Sequence, residues 1–362
     1  MGQTIAVALS GGIDSLVAAA LLKDQGHSLI GLHFLNGYET GAAPARQDGQ
    51  DPHFTAIEAH ARRTMAPLAE QLGIPLYIID LRQEFQSQVV DYFINAYSAG
   101  FTPNPCLVCN PIIKFDILLE RARTLGATQM ATGHYARITT TPDGQRLRLM
   151  QGVDTHKDQS YFLARLSQAQ LATAVLPLGN LRKEQTRRIA HRKGLIPPTA
   201  RESQDVCFIR DGHYADFLTR NAGDVPQPGP IEDMRGRVVG RHNGLHRFTI
   251  GQRRGINCPA AEPYYVVRLD RERNCLVVGS KQALLRRRCI VSRINWIAPV
   301  PQRPTKVGVR IRYRHQAVPA TLSPIDAQQA EIAFDMPESA VTPGQGAVFY
   351  KADEVLGGGW IE

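Results

Sequence analysis

Ile5-Ala6-Val7-Ala8-Leu9-Ser10-Gly11-Gly12-Ile13-Asp14-Ser15 passes from an apolar run through a double-glycine turn into the start of a helix. Two adjacent glycines let the backbone turn tightly and bring its N–H groups near an anion. The helix that follows aims its unsatisfied N–H groups and the positive end of its dipole at the same place. Ser10 and Ser15 add hydroxyls, and Asp14 is suited either to orienting the loop or to helping hold a magnesium ion. The spacing matches neither GxxxxGK[ST] nor GxGxxG. The plainer alternative is a Gly-Gly turn with a Ser or Asp helix cap.

Outward from this loop the pattern alternates. Apolar runs at Leu29–Phe34, Pro75–Ile79 and Gln129–Thr132 read as strands. Leu16–Leu22, Ala56–Leu72 (stopping at Gly73), Phe85–Tyr97 and Phe115–Arg123 read as helices. This is the signature of βαβ units and a parallel sheet covered on both faces, with function at the strand C-terminal ends. Asn36–His53 has no apolar period and reads as a mobile loop. Lys183–Lys193 reads as a basic helix stopped by Gly194. After about Gly212 short β-rich runs (Tyr264–Leu269, Cys275–Val278, Val307–Arg312, Glu331–Phe334, Ala347–Tyr350) alternate with Gly, Pro and Asp turns, which predicts small β domains or a barrel. The expected organisation is an α/β domain over 1–212, a small central domain over 213–282 and a C-terminal β-barrel-like domain over 283–362.

At 362 residues, several cores are expected. No run approaches the ~18 apolar residues of a membrane span. The start, MGQTIAVALSGG, lacks the features of a secretory signal, and Ala6 breaks a myristoylation motif, so the expected location is the cytoplasm with no membrane partner. The net charge of +9 is uneven: residues 216–362 carry 21 basic against 14 acidic side chains, whereas 1–215 are nearly balanced. Such a surplus suits a polyanion as well as it suits a generic basic surface.

In a reducing compartment six cysteines do not imply a disulfide framework. Two segments set three of them apart: Thr102-Pro103-Asn104-Pro105-Cys106-Leu107-Val108-Cys109-Asn110, and Ser203-Gln204-Asp205-Val206-Cys207-Phe208-Ile209. The prolines stiffen the first and should present its thiols on a loop ahead of the next helix. One accessible thiol able to carry a persulfide, with a second in reach to release the sulfur, is the minimum for sulfur transfer. Cys109 and Cys207 have the local settings for that pair. Other readings stay open: half of a zinc site, three ligands of a [4Fe–4S] cluster from Cys106, Cys109 and Cys207, or inert core thiols. Cys258, Cys275 and Cys289 are assigned to packing.

The phosphate loop resembles that of the ATP pyrophosphatase (PP-loop) superfamily, and both cysteine segments resemble the tRNA-specific 2-thiouridylase family within it. Further matches run in order along most of the chain: Thr132-Gly133-His134-Tyr135, Lys157-Asp158-Gln159-Ser160-Tyr161-Phe162-Leu163, Pro177-Leu178-Gly179, Thr249-Ile250-Gly251-Gln252-Arg253-Arg254-Gly255, Arg312-Tyr313-Arg314, Pro343-Gly344-Gln345 and Gly357-Gly358-Gly359-Trp360-Ile361. The resemblance implies a sulfurtransferase that adenylates a wobble uridine of tRNA with ATP and Mg²⁺ and takes sulfur from a persulfide donor protein. It implies ATP contacts at Ala8, Leu9, Ser10, Gly11, Gly12, Ile13, Asp14, Ser15, Phe34 and Gly133, and catalytic thiols at Cys109 and Cys207. Asn104, Pro105 and Cys106 would border the target base, and His134, Lys157, Asp158, Gln159, Arg312, Tyr313 and Gln345 would contact tRNA.

Read from residues alone, Lys157-Asp158-Gln159 offers a cation and two base- or ribose-reading groups, or merely a helix-starting turn. Arg312-Tyr313-Arg314 puts both arginines on one face of a strand. The chain departs from the family pattern in three places. Asn36–His53 lacks an acidic, cysteine-bearing segment, Pro111-Ile112 replaces a charged pair, and Cys106 stands where some relatives carry Asp. Competing functions are an iron–sulfur thiolase, a non-catalytic RNA-binding protein with a relic ATP site, and another adenylating enzyme such as an amidotransferase, for which no glutamine-hydrolysing domain fits this length.

Overall fold

The computed structural model describes residues 3–39, 52–198, 206–209, 214–221, 227–259 and 261–362, with the backbone alone at 52–54. Most of the expected loop Asn36–His53, the Ser203-Gln204-Asp205 stretch and the boundary near residue 213 therefore lie outside the described residues.

The chain forms two compact units: residues 1–89, 106–211 and 353–356, and residues 90–105, 212–352 and 357–362. The first is built on a five-stranded parallel sheet. Its strands are β1 (Thr4–Ala8), β2 (Ser28–Leu35), β3 (Leu76–Asp80), β4 (Gln129–Ala131) and, later, β7 (Ala174–Val175), in the order β3-β2-β1-β4-β7. An antiparallel hairpin, β5 (Ala136–Thr140) and β6 (Leu147–Gln151), lies between β4 and β7 in sequence. The order reverses between β1 and β4, so their C-terminal ends flank the crevice where doubly wound sheets bind ligands.

The helix Ile13–Asp24 packs Leu16 and Ala19 against Ile5, Val7 and Leu9 of the sheet, while Val17 and Ala18 face Tyr135, Leu178 and Ala190. Its alanines let elements approach on both faces, which sets the helix Lys183–Arg192 close by. The helix Pro52–Leu72 starts four residues before the apolar period does.

Two expected helices are less regular than their periods suggest. Phe85–Tyr97 resolves into Arg82–Phe85, a π-helical turn Gln86–Val90, and Asp91–Ser98. The cysteine segment is itself helical. Cys106–Cys109 forms a first turn that runs through a π-helical stretch, Asn110–Ile117, into Leu118–Thr124. Its thiols are thus not on a loop ahead of a helix. Pro105 suits the start of a helix, whereas Pro111 has no N–H to give to a preceding carbonyl, and the run widens there.

The second unit contains a four-stranded sheet in the order β10-β11-β8-β9: β8 (Gly229–Asp233), β9 (Val238–His242), β10 (Tyr265–Asp270) and β11 (Cys275–Gly279). Ile231, Phe248, Ile256, Val266, Leu276 and Val278 fill its core. It also contains a closed antiparallel barrel: β12 (Leu285–Trp296), β13 (Thr305–Arg310), β14 (Val318–Pro324), β15 (Ala330–Ser339), β16 (Gly346–Lys351) and, from residue 357 on, β17 (Glu354–Ile361). They run in the order β12-β15-β14-β13-β16-β17, with β17 returning to β12. Among the described residues, closure leaves none of these six strands at an edge. Cys275 is wholly buried and Cys258 packs on the central core, as assigned.

Among the described residues no helix is long and apolar enough to cross a membrane.

Candidate active site

The phosphate loop leaves β1 at the switch point. Gly11 turns at φ +84°, and Gly12 is the extended residue before the helix, with no side chain capping the first turn. The N–H groups of Ile13, Asp14 and Ser15 therefore begin a helix without a preceding turn to accept them, and the site suits an anion. Ser10 is exposed, Ala8 half-buried and Leu9 buried, with Leu9 bonding through its N–H to Leu32. Neither Ser nor Asp caps the helix, whose N-cap is Gly12. Ser15 is buried and donates its hydroxyl to the Gly12 carbonyl at 3.0 Å, while its oxygen accepts the Ser10 N–H at 3.3 Å, so it closes the loop.

Asp14 resolves its two options. Lys183 Nζ lies 2.8 Å from each of its carboxylate oxygens, and Tyr135 donates its hydroxyl to Oδ1 at 2.8 Å while Thr186 Oγ1 lies 3.0 Å from the same phenol. The carboxylate orients the loop. N–H groups and hydroxyls fit the oxygens of a triphosphate, which would carry magnesium with it. Nothing in the sequence pairs Asp14 with Lys183, which stands in a basic stretch where a solvated lysine is the ordinary reading; Lys183 is 6% exposed.

Gly133, beyond the end of β4, closes the other side of the crevice. A Cβ there would stand 2.8 Å from the Asp14 carbonyl carbon and the Ser15 nitrogen, so only glycine permits this approach. Phe34, near the end of β2, is half-buried with its ring 6.3 Å from that of Phe85. His33, which the sequence reading passed over, has its ring nitrogen Nδ1 2.8 Å from the Leu9 carbonyl; burial lowers its pKa and keeps it a neutral donor.

Phe208 packs on Phe85 (5.7 Å) and Tyr38 (5.8 Å), anchoring the short segment that carries Cys207. Cys106, Cys109 and Cys207 lie near enough that Cys106 and Cys109 each raise the Cys207 pKa, and the Lys114 cation acts in the opposite sense on all three. Burial is the leading cause of each upward shift and takes Cys109 to about 11. Cys109 is buried, Cys106 half-buried and Cys207 exposed. Cys207 is therefore the most exposed of the three residues, although neighbouring atoms crowd its sulfur enough to disfavour the thiolate. All six cysteines are free thiols. Lys114 is a second residue the sequence reading missed.

Among the described residues no group of three or more His, Cys, Asp or Glu side chains is arranged to hold a metal ion, so the geometry favours neither the zinc nor the [4Fe–4S] reading. Asn110 is buried, donates its amide to the Cys106 and Phe162 carbonyls, and leaves Oδ1 without a partner among the described residues.

The residues expected to face RNA divide. His134 is buried, 2.7 Å from Thr132 Oγ1, and burial followed by Lys114 holds its pKa well below the usual imidazole value. It is neutral at physiological pH and is no phosphate-binding cation. Asp158 is buried and accepts from the Gly152 and Ser160 N–H groups and the Ser160 hydroxyl at 3.0–3.1 Å, starting the helix Ser160–Leu163. Gln159 accepts the Tyr135 N–H through Oε1, and Lys157 is half-buried beside them. The three residues form a helix-starting turn. Arg312, Tyr313 and Arg314 are not on a strand: β13 ends at Arg310 and they form the turn to β14, with both arginines exposed. The chain must reverse there, which sequence alternation alone does not reveal. In the second unit, Gln345 binds the backbone of Thr102 and Pro103, just before Asn104 and Pro105.

Comparison with known proteins identifies the family. Residues 3–211 match a family model described as a tRNA methyl transferase HUP domain, 215–280 a tRNA methyl transferase PRC-barrel domain, and 286–361 an aminomethyltransferase beta-barrel domain. The chain is 52% identical to the tRNA-specific 2-thiouridylase MnmA of Desulfosudis oleivorans, covering 99% of this chain and 94% of that one. It is 44% identical to those of Geotalea uraniireducens (99% and 95%) and a Synechococcus species (99% and 93%).

Proposed function

This chain belongs to the tRNA-specific 2-thiouridylase family, and from that premise we propose that it activates the wobble uridine of a tRNA with ATP and replaces O2 by sulfur carried on Cys207. The target O2 attacks the α-phosphorus of ATP gripped by Ala8–Ser15 and Gly133, with Phe34 beside the adenine, and pyrophosphate leaves. This turns a poor leaving oxygen into AMP. The N–H groups of the loop stabilise the charge that builds on the phosphates. Magnesium, when bound with the triphosphate, neutralises part of its charge.

A donor protein of persulfide type loads Cys207 as Cys207–S–SH. The Cys109 thiolate attacks the Cys207 sulfur, forming a Cys109–Cys207 disulfide and expelling hydrosulfide. Hydrosulfide adds to C2, AMP departs with the former O2, and 2-thiouridine remains; a dithiol reductant then resets the disulfide. Asn104, Pro105 and Cys106 border the base. Cys106, a thiol where some relatives carry a carboxylate, is too weak an acid here to copy a carboxylate's role.

The observation that carries this reading is the gathering of three thiols and one lysine in the same unit as a phosphate-gripping loop. Methyl transfer, the reaction in the family-model descriptions, calls for no adenylating loop. The test is nucleoside mass spectrometry of tRNA incubated with ATP, a persulfide donor and either wild type or Cys207→Ser. Wild type should form 2-thiouridine and the variant none; equal yields would remove Cys207 from the chemistry. ATP–pyrophosphate exchange that requires tRNA separates an enzyme from an RNA-binding protein with a relic site.

A further inference from the structure

The amide nitrogen of Gln345 carries two N–H donors, and each has a carbonyl before it: Thr102 at 3.0 Å and Pro103 at 3.3 Å. Both partners can only accept, so the nitrogen and not the oxygen must face them. The residues before it tighten the same grip. Pro343 accepts the Thr102 N–H at 2.9 Å. Gly344 turns at φ +86° against the segment, where a Cβ would stand 2.6 Å from Phe101 Cβ and 3.0 Å from the Thr102 nitrogen. The gripping residues are held in turn, because Gly344 N–H donates to Ile361 and Ile361 N–H donates to Gln345.

The gripped segment needs outside donors. Pro103 and Pro105 contribute no N–H, so Thr102–Pro105 cannot order itself through a ladder of its own, and its carbonyls must be satisfied from elsewhere. The segment runs directly into Cys106 and the helix that carries Cys109.

We propose that Gln345 is a positioning residue, and that Pro343-Gly344-Gln345 is a barrel-borne clasp that fixes Thr102–Pro105 for presentation to the target base. This departs from a direct tRNA contact by Gln345 and rests on the thiolation reading. The clasp acts on geometry at the reacting base and leaves RNA affinity largely alone.

Two variants test it: Gln345→Met, which keeps length but removes both donors, and Gly344→Ala, which has no side chain to take from RNA but forces Phe101 away. For each, tRNA Kd and the single-turnover rate of 2-thiouridine formation at saturating enzyme are measured. So is hydrogen exchange of the peptide spanning residues 98–106. Both variants should lower the rate by about tenfold or more, the range a small misplacement of a reacting group produces. Kd should stay within about twofold and exchange should accelerate. A Gln345→Met protein with Kd raised tenfold and an unchanged saturating rate makes Gln345 an RNA contact and overturns the clasp, as does unchanged exchange. Exchange is read without activity, so a wild type that thiolates no tRNA while both variants loosen the segment counts against thiolation and not against the clasp. Should Gly344→Ala not fold, Gln345→Met alone decides.

Discussion

At the residue scale the decisive quantity is the protonation of the thiols. Burial pushes all three up, a neighbouring cysteine adds to it at Cys109 and Cys207, and Cys109 reaches about 11, so at pH 7 its thiolate is roughly one part in ten thousand. A thiol is neutral when protonated, and an elevated pKa means the nucleophile accumulates as pH rises. The single-turnover thiolation rate is therefore expected to climb nearly tenfold per pH unit between about pH 6 and 9; a flat profile would show that thiolate formation does not limit transfer. Lys114 opposes the shift at all three sulfurs, and Lys114→Met should lower the pH 7 rate several-fold and move the profile to higher pH. The cysteines themselves stood out in the sequence because prolines and polar neighbours surround them. Lys114 did not, since its relation to Cys207 is made only by folding. His134, a tRNA contact only by the family resemblance, is a buried ring whose burial lowers its pKa.

Elements bring distant residues to the loop. The helix Lys183–Arg192 sends Lys183 inward to Asp14, 169 residues away, while Arg187, Arg188 and Arg192 stay exposed on the same helix. Removing the cation strands a half-buried carboxylate, so Lys183→Met should cost about 3 kcal/mol in denaturant unfolding, and adding Asp14→Asn should recover part of it. An additive double variant would mean that the two do not interact. Gly133→Ala forces a methyl group into the Asp14–Ser15 backbone, with an expected loss of about 1–3 kcal/mol and a raised KM for ATP in pyrophosphate exchange. The apolar periods revealed β1, β2, β3, β4 and the helix after the phosphate loop. They missed the π-helical turns at Gln86–Val90 and Asn110–Ile117, because a one-residue widening leaves the apolar pattern almost intact. They also carried Val307–Arg312 two residues too far, past the turn.

Over the whole molecule, the basic surplus lies in residues 216–362, where Arg312 and Arg314 stand exposed on a barrel turn. If that turn meets phosphate, Arg312→Ala should weaken tRNA binding without changing which tRNA is chosen, and should reduce the slope of log K against log salt by about 1. An unaltered slope assigns the charge to solvent. The sequence by itself determined the fold class, the phosphate loop, the privileged cysteines and the β-rich C-terminal half, because each is written in local spacing: apolar period, paired glycines, prolines beside thiols. Only the tertiary structure decided that Asp14 answers to Lys183, that Cys106, Cys109 and Cys207 share one environment, and that Gln345 holds the backbone of Thr102 and Pro103. Those pairings join positions tens to hundreds of residues apart, and a local pattern carries no record of which carbonyl or charge a side chain will meet once loops have closed and water has been excluded.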